Sequence, residues 1–163
     1  IRRPPRSTPS NSSAASDVYK RQTFQEQIKI IDNLEKFVNK RFGLIIFDTI
    51  TSLYRSELTS REESFNLSRE LNRQVAMLIQ VAKTIPLSIL LLSQVRSLMR
   101  GAEFAPVATR ILRFWSSSVV KLSRTGRRNL IKALIEKSGG KERRSSFFLS
   151  IEEDGIHDYE PRI

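Results

Sequence analysis

The stretch "GLIIFDTITSLYR", Gly43 to Arg55, places a helix-stopping glycine before four apolar residues and ends the run on a carboxylate, Asp48. A short run of β-favouring residues bounded in this way reads as a buried strand. Upstream, "TFQEQIKIIDNLEKFVNKRF" (residues 23–42) carries Ile28, Ile31, Leu34 and Val38 at helical spacing, and Thr23 with Glu26 forms a capping-box pattern. Downstream, a polar segment from Arg55 to Glu63 leads to a long amphipathic helix over about Ser64 to Thr84, with Leu67, Leu71, Val75, Leu78 and Val81 or Ala82 on one face. Pro86 separates that helix from "LSILLLSQV" (87–95), a second apolar strand. The alternation of helix, strand, helix and strand predicts βαβ units, and hence a parallel sheet with right-handed crossovers.

A loop-like segment, "RSLMRGAEFA" (96–105), follows, and Pro106 is placed to open a helix through about Trp115. The remainder reads as shorter strands, "SSVVKLS" (117–123), "NLIKALIEK" (129–137) and "SSFFLSIEE" (145–153), joined by the turns "RTGRR" and "SGGKERR". The expected class is α/β: a parallel core followed by an antiparallel C-terminal extension.

The 163 residues suffice for one domain with a real core. No apolar run approaches the roughly 18 residues of a membrane span. The absence of cysteine excludes disulfides and thiolate zinc sites, and the single His157 cannot form an imidazole cluster. Net charge is +11; residues 1–22 hold five cations and one acid, so the body is itself basic at +7. That balance points to a polyanionic partner. The opening "IRRPPRSTPSNSSAASDVYKRQ" has the Arg- and Ser-rich composition of a transit peptide, yet Pro4, Pro5, Pro9 and the run Ser10–Ser13 oppose the helix such a peptide needs. As a disordered basic tail it is chemically reasonable. "SSAASDVYKRQ" also resembles translated sequencing-adapter sequence. The expectation is that residues 1–22 are a non-native or disordered leader, and that residues 23–163 are the C-terminal part of a domain that begins upstream of Thr23.

Four apolar residues followed by Asp48 at a strand end is a Walker-B arrangement. Ligands of parallel sheets sit at the carboxyl ends of the strands, where a carboxylate can hold Mg²⁺ through water; a strand-ending Asp can equally cap a loop. The second strand ends in Ser93–Gln94. Gln can report a γ-phosphate or orient water, or simply terminate a strand. One crossover helix between the two strands places Asp48 and Gln94 at the same sheet edge, and the pair points to a nucleotide site. Arg55 and Arg61 flank the loop after the first strand, and Arg96, Arg100 and Arg110 lie in or beside the loop after the second. Such residues can contact phosphate backbones without reading sequence. Phe104 could stack on a base or anchor its loop. The basic segments "RTGRR" and "GKERR" read as nucleic-acid contacts or as solvated hairpins.

From about Thr23 to Tyr159 the chain resembles the C-terminal part of the core of RecA/RadA-family recombinases, and within them the archaeal RadB branch. The resemblance rests on "FQEQ", "LIIFDTITSLYR", "LSRELNRQVAMLIQVAKTIPLSILLLSQV", "PVATRILRFWSSSVVKLSRTGRR" and "EKSGGKERRSSFFLSIEEDGI", in that order. It implies a RecA-like P-loop NTPase core with helices on both faces of the parallel sheet and a C-terminal antiparallel β extension. It implies ATP and Mg²⁺ as cofactors, Asp48 as the Walker-B magnesium residue, Ser93 at the nucleotide and Gln94 as the γ-phosphate sensor. Residues 55–63 and 96–105 would be two DNA-binding loops carrying Arg55, Arg61, Arg96 and Arg100, with Arg110 beside them. Lys137 would lie near the ATP of a neighbouring subunit, although Gly139 departs from the family's lysine-x-arginine form. No G-x-x-x-x-G-K-[ST] is present, since "GGKERR" lacks the spaced first glycine and the hydroxyl. The resemblance therefore implies a phosphate loop upstream of Thr23, negligible ATP affinity for this chain alone, and an exposed sheet edge. The implied function is an ATP-dependent DNA-binding recombinase paralogue in homologous recombination and repair, cytoplasmic and nucleoid-associated. Its partners would be single-stranded or branched DNA and a second copy or another recombinase, with no membrane. The alternatives are a non-hydrolysing mediator and a RecA-like ATPase of the helicase or clock-protein type.

Overall fold

The structure, a computed structural model, describes residue 20 and residues 22–58, 61–94 and 105–159. Residues 1–19 and 21, Arg96, Arg100 and Phe104 lie outside the described residues, as does the side chain of Arg61. The chain divides into two compact units, Ile1–Ala105 and Pro106–Ile163.

The first unit runs α1 (Phe24–Asp32), α2 (Leu34–Phe37), β1 (Leu44–Phe47), α3 (Ser52–Ser56), α4 (Arg61–Thr84) and β2 (Ser88–Leu91). Thr23 caps α1 by accepting from the Glu26 N–H at 3.2 Å. The Glu26 carboxylate accepts from the Gln22 N–H at 3.0 Å, one residue before the usual capping-box return. The helix expected over residues 23–42 breaks at Asn33, whose side-chain amide donates to the Lys29 carbonyl at 2.8 Å. Asn competes for backbone groups in this way and disfavours helix interiors. Phe24, Ile31 and Leu34 meet the stripe of Leu71, Val75, Leu78 and Val81 on α4 to form the core. Tyr54 is fully buried on α3, edge-on to the Phe24 ring at 6.1 Å, and its hydroxyl shares a hydrogen bond with Ser68 at 2.9 Å. Of the polar segment expected from Arg55 to Glu63, residues 55–56 end α3 and residues 61–63 open α4.

Strands β1 and β2 pair in parallel, Leu44 opposite Ser88 through Phe47 opposite Leu91, with α4 in the crossover. The first strand reads as buried in the sequence and the second as apolar, and here the structure differs from full burial. Ile45, Phe47, Ile89 and Leu91 are half-buried, whereas Leu44, Ile46, Leu90 and Leu92 are 39–54% exposed. Side chains alternate across a strand, and among the described residues of this unit only one face of the sheet is covered.

The second unit is α5 (Ala105–Trp115) with an antiparallel meander, β3 (Val119–Arg124), β4 (Leu130–Ser138), β5 (Lys141–Glu152) and β6 (Gly155–Tyr159), in that spatial order. Pro106 falls in the first turn of α5, where a missing N–H costs no helical bond. Gly139 and Gly140, at φ +57° and +78°, make the β4–β5 turn, a conformation that side-chain-bearing residues rarely adopt. The expected hairpin tip "GKERR" is therefore mostly strand. β6 was absent from the sequence expectation. Pairing puts Leu122, Ala133 and Phe147 on one face, along with Val120, Ile151 and Ile156, and most of that apolar face is exposed. No described helix is long and apolar enough to cross a membrane.

Candidate nucleotide and nucleic-acid site

Asp48 follows β1 and Ser93–Gln94 follow β2, so the adjacent parallel strands bring all three to one carboxyl end. Backbone bonds extend the pairing beyond the strands: Leu92 N–H donates to the Phe47 carbonyl at 3.0 Å, and Ile50 N–H to the Leu92 carbonyl at 3.2 Å. The Asp48–Thr49 peptide is cis. Ser93 is engaged, sharing a 3.1 Å hydrogen bond with the buried Thr51 hydroxyl, which ties the loop after β1 to the end of β2. Asp48 and Gln94 are exposed, and neither bonds to another described residue.

An open carboxylate at this position suits Mg²⁺ held through water. Among the described residues no group of three His, Asp or Glu side chains could hold a metal. A single exposed carboxylate leaves most ligand positions of Mg²⁺ to other donors, and this fits an ion carried by a nucleotide.

The loop is also held from below. Gln27 Nε2 donates to the Ile50 carbonyl at 3.2 Å and to Gln74 Oε1 at 2.7 Å, both within the core. Sequence reasoning did not single out Gln27, Thr51 or Gln74. A signal existed for the two glutamines: Gln27 occupies an apolar-face position between Phe24 and Ile31, and Gln74 lies beside Leu71, Val75 and Leu78.

The basic residues are dispersed. Arg55 sits on α3, half-buried, and its Nε is buried without a partner among the described residues. Arg61 opens α4. In the second unit, Arg110 is exposed on α5 and unpaired among the described residues. Lys137 on β4 donates to the Arg113 carbonyl at 3.0 Å and the Phe114 carbonyl at 3.3 Å, capping the C-terminus of α5. The Arg113 guanidinium bridges Glu142 and Glu136, and the Glu142 hydrogen bond is the main cause of its raised pKa. Glu136 sits at a register irregularity in both of its ladders, which aims it at Arg113. Residues 106–163 carry twelve cations against seven acids, whereas residues 23–105 carry eleven against nine. The body's charge is concentrated in the second unit, with Lys121, Arg124, Lys141, Arg143 and Arg144 all exposed there.

The Rad51 family model matches residues 10–159. The DNA repair and recombination protein RadB of Thermococcus onnurineus is 31% identical over 135 residues, 83% of this chain and 58% of that protein. The RadB of Methanocaldococcus jannaschii is 35% identical over 129 residues, 77% of this chain and 59% of that protein. The crystal structure of the RadB recombinase superposes with a TM-score of 0.63 at 21% identity, covering 87% of this chain and 63% of that one. At that identity the likeness establishes the fold, a RecA-like core. The chain spans a little over half the length of the curated relatives it matches.

Proposed function

The chain belongs to the Rad51 family, and from that premise we propose that it is the C-terminal part of an ATP-dependent, DNA-binding protein of recombination and repair. The observation that carries the reading is the pair of exposed side chains, Asp48 and Gln94, unpartnered among the described residues, at the ends of neighbouring parallel strands. Asp48 would hold the magnesium ion of Mg·ATP through water, and the Gln94 amide would hydrogen-bond the terminal phosphate. The ion neutralises phosphate charge when bound. Ser93, already tied to Thr51, would keep the two strand ends in step. Arg55, Arg61, Arg96, Arg100 and Arg110 supply guanidinium groups for a sugar–phosphate backbone. The backbone cradle for the phosphates would come from sequence upstream of Thr23, so ATP affinity is negligible for the chain alone.

A second reading, a mediator that binds DNA or a recombinase without hydrolysing ATP, draws support from Lys137. That cation is engaged by the end of α5 in its own chain. The test is ATP turnover by the polypeptide encoded in frame through the region upstream of Thr23, with and without single-stranded DNA. DNA-stimulated turnover that falls about a hundredfold in Asp48→Asn and Gln94→Ala supports the first reading. DNA binding without turnover favours the mediator. Turnover unaffected by Asp48→Asn overturns the nucleotide site.

A further inference from the structure

The "FQEQ" segment of α1 has no part in the function proposed above, yet its last residue lies under the candidate site. Gln27 is 6% exposed and Gln74 is 0% exposed. Burial of two primary amides is unfavourable unless their polar atoms are paired. Here both hydrogens of Gln27 Nε2 have acceptors: the Ile50 carbonyl at 3.2 Å and Gln74 Oε1 at 2.7 Å. Gln74 Nε2 reaches Glu70 at 3.4 Å, and Glu70 is fixed by Arg73, which also pairs with Asp32 at 2.8 Å. A continuous polar chain thus runs from a surface ion cluster through the core to one backbone carbonyl. That carbonyl belongs to the residue two positions after Asp48, in the loop that Thr51 ties to Ser93.

We propose that Gln27, oriented by Gln74, is a positioning residue that sets the conformation of the 48–51 loop and so the placement of the Asp48 carboxylate. A packing role alone would be served as well by an apolar side chain of the same length. The amide adds a directed donor to a carbonyl that has no solvent on that side. Gln74 makes the donor unambiguous, because its acceptor oxygen forces the nitrogen of Gln27 toward Ile50. The consequence for metal placement rests on the nucleotide reading; the positioning itself does not.

The test uses the chain as it stands, with backbone amide exchange followed by NMR. Amides of residues 106–159 provide an internal reference in a separate compact unit. Gln27→Met should raise exchange at Ile50 and Thr51 about tenfold over that reference, the scale of one lost buried hydrogen bond. Gln27→Glu should raise it further, because a carboxylate would face two acceptors. The double variant Gln27→Met/Gln74→Met removes both buried amides, so the unfolding midpoint should recover toward that of the parent while loop exchange stays raised. Exchange at Ile50 and Thr51 that returns to the parent value together with the midpoint would overturn the proposal, as would Gln27→Met exchanging faster than Gln27→Glu. A separate readout, Mg²⁺-dependent ATP turnover by the polypeptide extended in frame upstream of Thr23, bears on the metal reading. Turnover there that is unchanged by Asp48→Asn would remove the metal from Asp48 and leave the loop result standing.

Discussion

Replacing Lys137 with Met isolates what the cap on α5 contributes. The substitution keeps most of the aliphatic stem and removes the ammonium that donates to the Arg113 and Phe114 carbonyls at 3.0 and 3.3 Å. A cation at a helix C-terminus contributes about 0.3–1 kcal/mol through the dipole, rising toward about 2 kcal/mol when partly buried. A hydrogen bond from a charged donor contributes about 1.5–3 kcal/mol. One of the two bonds here is exposed, so the lower part of these ranges applies and a loss of about 1.5 kcal/mol is expected. The assay is urea unfolding followed by tryptophan fluorescence. Trp115 is the only tryptophan in the chain and ends α5, one residue past the capped carbonyls. With a slope of about 1 kcal/mol per molar urea for so small a unit, the midpoint should fall by about 1.5 M. Lys137→Arg should restore more than half of that loss. A Lys137→Met midpoint within about 0.3 M of the parent would mean that water serves those carbonyls equally well, and the cap would then carry no energy.

Other substitutions separate stability from the site. Asp48→Asn, at an exposed side chain unpaired among the described residues, should change stability by less than about 0.5 kcal/mol in urea melts while lowering Mg·ATP turnover in the polypeptide extended upstream of Thr23. Tyr54→Phe keeps the Phe24 contact and loses only the Ser68 bond, so it should cost about 1 kcal/mol against about 3–4 kcal/mol for Tyr54→Ala, both read from thermal or urea unfolding. Lysines at Leu44 and Leu90, on the exposed sheet face, should reduce dye binding and aggregation without lowering the melting temperature, whereas Leu71→Lys should prevent folding. Arg110→Ala should weaken binding of a labelled oligonucleotide uniformly across sequences and reduce the salt slope by about one charge.

Much of the architecture was legible because apolar period carries it. The runs Leu44–Phe47 and Leu87–Leu92 read as strands of one sheet once a long amphipathic helix, expected over about Ser64 to Thr84, lay between them. Their carboxyl ends then had to coincide, and Asp48 and Gln94 followed. What period could not show was coverage. Leu44 and Ile46 look identical to core residues in the sequence, and their exposure depends on what packs above the sheet. β6 escaped notice because "GIHDY" has no strand pattern of its own and is held by pairing with β5. Gln27 and Gln74 escaped for the opposite reason: they sit on apolar faces, 47 residues apart in the chain, and nothing in either helix alone says that the two amides meet. The cap that Lys137 places on α5 escaped because a helix C-terminus offers no residue type to flag it.

The uneven distribution of charge has a consequence for rates. A polyanion diffusing toward the chain meets +5 on residues 106–163 and only +2 on residues 23–105. Electrostatic steering of this kind accelerates encounter by about 10- to 1,000-fold at low ionic strength and fades as salt is added. Encounter should therefore draw more on the meander of β3 to β6 than on residues 23–105. In stopped-flow experiments, reversing charge at Arg143 and Arg144 should slow association and leave dissociation nearly unchanged, while changes at Arg55 should do the reverse.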